Sequence, residues 1–212
     1  MPSQRPPFGR AARACRFVIA PPGKRVRLFV ALDLSPEIRE ALRNPVEELK
    51  PLAKSARWTR PEGMHVTLKF IGNVDAGKLA PVREALTGVR SEAPVEMRVR
   101  GMGFFPDARR PRVLWCGIEA SANLAPLAAA AERALESLGI PPEERKFTPH
   151  LTLARVNDSR RLAGLIRAVE SMQSREFGSA HATEFHLFES VTRPSGAEYR
   201  KIESYPFVKG AA

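Results

Sequence analysis

Residues 65–68 read His65-Val66-Thr67-Leu68, and residues 150–153 read His150-Leu151-Thr152-Leu153. In a β-strand, residues i and i+2 point to the same face. Each tetrapeptide therefore carries an imidazole and a hydroxyl on one side and two aliphatic side chains on the other. Such a strand buries its aliphatic side and presents the polar pair. With 4 His, 7 Thr and 19 Leu in 212 residues, His-x-Thr-Leu is expected by chance only about 0.01 times. It occurs twice.

A repeated order of elements surrounds the two motifs. Residues 27–32 (Arg27-Leu28-Phe29-Val30-Ala31-Leu32) form a short apolar run that predicts a buried strand. Ser35-Pro36-Glu37 predicts a helix start, with Ser35 as the cap and proline in the first turn. Ile38, Ala41, Leu42 and Leu49 continue that helix, and Pro45 predicts a kink or break in it. Strands are expected at 64–71, 95–104, 112–119, 150–156, 183–190 and 198–202. Helices are expected at 79–86, 124–138 and 160–172, the second stopped by Gly139 and Pro141-Pro142. The order is strand, helix, motif strand, helix and strand pair, twice over. It predicts an α+β fold with mostly antiparallel pairing.

Composition narrows the class. Hydrophobic residues make up 43% and charged residues 27%, which fits a folded globular chain and excludes disorder throughout. No apolar run approaches the ~18 residues of a membrane span. Cys15 and Cys116 are too few for a disulfide framework or a cysteine-based zinc site, and a reducing cytoplasm is the expected compartment. The net charge of +11 favours an anionic partner. Six of the basic residues lie in residues 1–25, which hold no acid, so the remainder carries only +5 (28 basic, 23 acidic). Residues 1–25 also contain five prolines and no sustained period. They are read as a disordered basic tail or a misassigned start. Residues 26–206 are read as one two-lobed domain and 207–212 as a short C-terminal tail.

The motif residues suit one kind of chemistry. An imidazole exchanges protons in both directions near neutral pH. Two of them can serve as acid and base at once, and threonine hydroxyls can donate to non-bridging phosphate oxygens. In-line attack at phosphorus needs a base on water and an acid on the leaving oxygen, with no metal or other cofactor. From the residues alone the acid and base labels are interchangeable. Arg155, five residues after His150, could neutralise a phosphate if a bulge or the strand end turned it to the histidine face. Phe70 holds the equivalent place after His65. Phe70, where a base could stack, Arg60 and Arg112 are candidate substrate contacts. His181 and His186 share no motif and are read as structural.

At these residues the chain resembles the RNA 2′,3′-cyclic phosphodiesterase (2′–5′ RNA ligase-like) family of two-histidine phosphoesterases. The resemblance runs from Arg27 to about Pro206. It rests on the Arg27–Asp33 opening, Trp58-Thr59-Arg60-Pro61-Glu62, the two motifs with their flanks, Pro111-Arg112-Val113-Leu114-Trp115 and Phe188-Glu189-Ser190. It implies a bilobal fold with two antiparallel sheets lining a central cleft and helices outside. It implies hydrolysis of RNA 2′,3′-cyclic phosphate ends to 2′-phosphates. It makes His65 the proton donor and His150 the proton acceptor, with Thr67, Thr152 and Arg155 on the phosphate. The expected partner is RNA with a cyclic phosphate end, tRNA fragments among the candidates, acted on by a monomer without membrane or metal. Reversible 2′–5′ ligation is the same chemistry reversed. The alternatives are a cyclic phosphodiesterase of small nucleotides and a non-catalytic RNA-binding module.

Overall fold

The strand read at 27–32 extends over Arg25–Asp33 (β1), buried at every residue from Leu28 to Leu32. The computed structural model describes residues 23–158, 160–193 and 196–207. The basic tail therefore lies outside the described residues as far as residue 22, as do residues 208–212. After β1 come α1 (Pro36–Leu49), β2 (Arg57–Trp58), β3 (His65–Asp75), α2 (Leu79–Leu86), β4 (Val95–Phe105), β5 (Val113–Ala120) and α3 (Leu124–Glu136). Then follow β6 (His150–Arg155), α4 (Ala163–Glu170), β7 (Glu176–Ala182), β8 (Glu184–Arg193) and β9 (Gly196–Pro206). The body reaches one residue beyond the expected C-terminal boundary, since Phe207 is buried and its N–H donates to the Thr183 carbonyl.

All pairings are antiparallel, in the order β7-β4-β5-β6-β3-β1-β8-β9, with β2 beside β6. The two sheets expected are thus two halves of one curled sheet. The halves join through one residue pair, Val66 of β3 with Leu151 of β6. The duplication is interlocked. The first unit sends β4 to pair with β5 of the second, and the second sends β8 to pair with β1 of the first. Likewise α1 packs on β7 and α3 on β3. Neither half has a complete core alone.

Two expectations change. α1 runs unbroken through Pro45, because Ile38, Leu42, Pro45, Val46 and Leu49 form one buried face. Burial worth roughly 1.5–3 kcal/mol per large side chain outweighs the ~3 kcal/mol penalty of an interior proline. β7 was not foreseen. Its sequence, Glu-Phe-Gly-Ser-Ala-His-Ala, is poor in strand formers, and backbone pairing with β4 makes it a strand. Among the described residues no helix is long and apolar enough to cross a membrane.

One buried charge ties a helix to the motif strand. Lys69 of β3 is 3% exposed, and its Nζ donates to Glu132 Oε2 of α3 at 2.5 Å and to the Pro141 carbonyl at 2.7 Å. Removing the carboxylate leaves an ammonium buried with one neutral acceptor. Glu132→Ala is expected to cost about 3 kcal/mol, read as a lower urea midpoint with an unchanged slope.

Candidate active site

The pair Val66–Leu151 fixes the geometry of both motifs. Both side chains are fully buried on the core face. In that antiparallel register His65 lies opposite Thr152, and Thr67 lies opposite His150. All four polar residues share the other face and are half-buried. An approximate two-fold axis passes through the Val66–Leu151 pair. The motif strands are therefore neighbours in one sheet and do not face each other across a gap.

The repeat continues past the motifs. β3 pairs Ala31 with Thr67 and Val30 with Lys69, so Leu68 is an extra residue, a β-bulge. β6 pairs Trp115 with Thr152 and Leu114 with Ala154, so Leu153 is a bulge too. The backbone N–H of Thr59 donates to the Leu153 carbonyl at 2.8 Å, so the segment leading to the first motif pins the bulge of the second. Each bulge reverses the alternation of side chains. Arg155 and Phe70, at odd spacing from their histidines, are thereby returned to the histidine face. The positive charge of Arg155 is felt at both His65 and His150. Phe70 is 47% exposed and lies 4.7 Å under the Arg27 guanidinium.

The two imidazoles are held alike. His65 Nδ1 is 2.8 Å from the Gly63 carbonyl, and His150 Nδ1 is 2.7 Å from the Thr148 carbonyl. A carbonyl only accepts, so each ring donates from Nδ1–H and keeps Nε2 for proton exchange. Aromatic rings complete the setting. Phe29 stacks on His65 with centroids 4.5 Å apart, Tyr199 meets it edge-on at 5.1 Å, and Phe188 lies behind Phe29. Phe105 meets His150 edge-on at 4.9 Å. Trp115 stands beside Thr152, over Gly103, where a Cβ would be 2.4 Å from the indole. Phe29, Trp115 and Phe188 lie in segments that carry the resemblance, but their place around the histidines was not read from the sequence, nor was that of Phe105 or Tyr199. The signal that could have found Phe29 is alternation, since it occupies the face opposite Leu28 and Val30.

Burial, opposed by the Gly63 hydrogen bond and the Asp33 charge, lowers the His65 pKa to about 4. Burial also lowers that of His150. A pocket of about 240 Å³ opens against His65, lined by Asp33, Arg39, Glu62, Tyr199 and Lys201 among others. Arg60 lines a separate, smaller pocket with Trp58 and Met64. Arg112 is exposed, its backbone tying β4 to the end of β6 through Phe105 and Val156.

Comparisons with known proteins cover most of the chain. The family model for LigT-like phosphoesterases matches residues 32–115 and 118–199, with one motif in each segment. The RNA 2′,3′-cyclic phosphodiesterase of Methanothermobacter thermautotrophicus is 32% identical over 182 residues, covering 85% of this chain and 98% of that protein. The Aquifex aeolicus protein of the same name is 32% identical over 187 residues, covering 86% and 97%. The crystal structure of TT0787 from Thermus thermophilus superposes with a TM-score of 0.72 at 28% identity, covering 87% of this chain and all of that one. That of Escherichia coli LigT complexed with 3′-AMP gives 0.71 at 24%, covering 88% and 100%, a likeness of fold.

Between the lowered His65 pKa of about 4 and the ordinary value of 6.5, the unfolded chain binds more protons at this residue than the native one. Stability therefore rises with pH across that window on account of His65. His65→Gln is expected to flatten this part of the stability–pH curve, measured by urea unfolding from pH 4 to 7.

Proposed function

This chain belongs to the LigT-like phosphoesterase family, and on that premise we propose that it hydrolyses RNA 2′,3′-cyclic phosphate ends to 2′-phosphomonoesters by proton transfer between two histidines. The observation that carries this reading is the quartet on one sheet face, with His65 opposite Thr152 and His150 opposite Thr67.

The cyclic phosphate binds over the quartet. The Thr67 and Thr152 hydroxyls donate to its non-bridging oxygens, and the Arg155 guanidinium neutralises it. Both threonines stand on rigid strands, so the donors are oriented before the substrate arrives. His150 Nε2 takes a proton from water as the water oxygen forms its bond to phosphorus. The phosphorus–O3′ bond breaks on the opposite side, and His65 Nε2–H gives its proton to the 3′ oxygen. The products are a 2′-phosphate and a 3′-hydroxyl, and the imidazoles reset by exchange with solvent. The free protein keeps His65 neutral at pH 7, because its pKa lies near 4. A bound phosphodiester anion favours the imidazolium, so substrate binding loads the donor. With a 5′-hydroxyl in place of water, the same steps join two strands through a 2′–5′ linkage.

The test is a short RNA ending in a 2′,3′-cyclic phosphate, in EDTA, with product positions resolved. Conversion to 2′-phosphate is expected to persist in the chelator. His65→Ala and His150→Ala should each lower kcat/KM by roughly 10²–10⁴-fold, and the double variant by much less than the product of the two. Conversion to 3′-phosphate, or full activity in either variant, would overturn the assignment. Separately, Arg155→Met should raise KM and lower kcat by at least about ten-fold, because the guanidinium holds the phosphate in the ground state and holds it more strongly as negative charge builds up in the transition state.

A further inference from the structure

The quartet is nearly symmetric, and its symmetry gives no reason for one histidine to be the donor. The flanking strands break it. In the β1–β3 register Asp33 lies opposite His65, on the same face. In the equivalent β5–β6 register the residue opposite His150 is Gly117. That position admits no side chain, since a Cβ there would lie 2.6 Å from the Arg100 carbonyl oxygen. One histidine thus has a carboxylate neighbour, and the backbone packing denies one to the other.

We propose that Asp33 is a positioning residue that makes His65, and not His150, the proton donor. This rests on the phosphodiesterase reading above. Asp33 is held firmly. One oxygen accepts from Arg39 and from the Leu34 N–H, and the other accepts from Lys201 Nζ at 3.2 Å. Lys201 is fixed in turn by His186, whose Nε2 accepts from Nζ at 3.3 Å while its Nδ1–H donates to Ser204 Oγ at 2.8 Å. His186 is 2% exposed, so the relay is anchored in the sheet. Burial would raise the Asp33 pKa, but the Lys201 hydrogen bond and the Arg39 charge outweigh it and keep the carboxylate ionised. Asp33 favours a proton on His65, against His150 and Arg155 from β6. The pocket against His65 adds Glu62 as a second anion, with Arg39, Lys201 and Tyr199. The charges acting on His150 are Arg155 and Arg145, both cations. Two carboxylates, Asp33 and Glu62, thus stand on the His65 side beside the cations Arg39 and Lys201, whereas the charges that act on His150 among the described residues are both cations.

The experiment compares two RNA substrates, one with a natural 2′,3′-cyclic phosphate and one with sulfur replacing the bridging 3′ oxygen. A thiolate leaves without a proton, so the second substrate needs no donor. Asp33→Asn is expected to lower kcat/KM on the oxygen substrate about ten-fold or more and to leave the sulfur substrate unchanged. In NMR titration His65 should protonate at lower pH in Asp33→Asn, with His150 unmoved. Lys201→Met removes a cation beside the same carboxylate, so it should move the His65 midpoint upward. Equal losses on both substrates, or an unmoved His65 titration in both variants, would overturn the proposal. Wild-type protein inactive on the oxygen substrate would overturn the phosphodiesterase reading itself, and this inference with it.

Discussion

The site depends on one cross-strand contact. Val66 and Leu151 meet where the halves of the sheet join, and every other pairing lies within one half. Both side chains are fully buried, each worth roughly 1.5–3 kcal/mol of transfer free energy. Register in a sheet is all or nothing. A slip of one residue in either motif strand would turn its histidine and threonine into the core, so the apolar layer beneath specifies the polar layer above. The exchange of β4 and β8 between the units, with α1 and α3 each packed on the opposite half, holds this join closed.

Near-symmetry supplies paired groups at low cost in sequence, and its breaches differentiate them. The same bulge after each Thr turns the following side chain toward the histidines, yet one is an arginine and the other a phenylalanine. The same i−2 carbonyl fixes the same tautomer of each imidazole. Around them the walls differ. Phe29, Phe188 and Tyr199 enclose His65, while Phe105 alone meets His150 among the described rings. Deeper enclosure takes His65 down to about pKa 4. In the proposed reaction, arrival of the phosphodiester anion reverses this and loads the donor, through desolvation and charge.

Much of this was legible in the residues because it is local. Strand parity alone puts each His and Thr on one face, and Ser35 caps α1 through its hydroxyl as its sequence context indicates. The elements with clear periodicity fall within a few residues of their expected bounds, and α2 falls at Leu79–Leu86 as read. The break allowed for at Pro45 is absent and β7 was missed, for the opposite reason. In both, tertiary burial or pairing overrides local preference, and no window of the sequence contains the partner. The aromatic walls and the Asp33–Lys201–His186 relay likewise join residues far apart in the chain.

The sequence by itself determined the chemical vocabulary: two imidazoles, two hydroxyls, the aliphatic backing that makes their strands amphipathic, and the duplication that pairs them. Only the tertiary structure decided that the two motifs are adjacent in one sheet, that Arg155 shares their face, and that a carboxylate flanks one histidine while a glycine flanks the other. The physical reason is that alternation along a strand is set by backbone geometry within a few residues. Register, bulges and cross-strand neighbours are set by which distant strand fills the next place in the sheet.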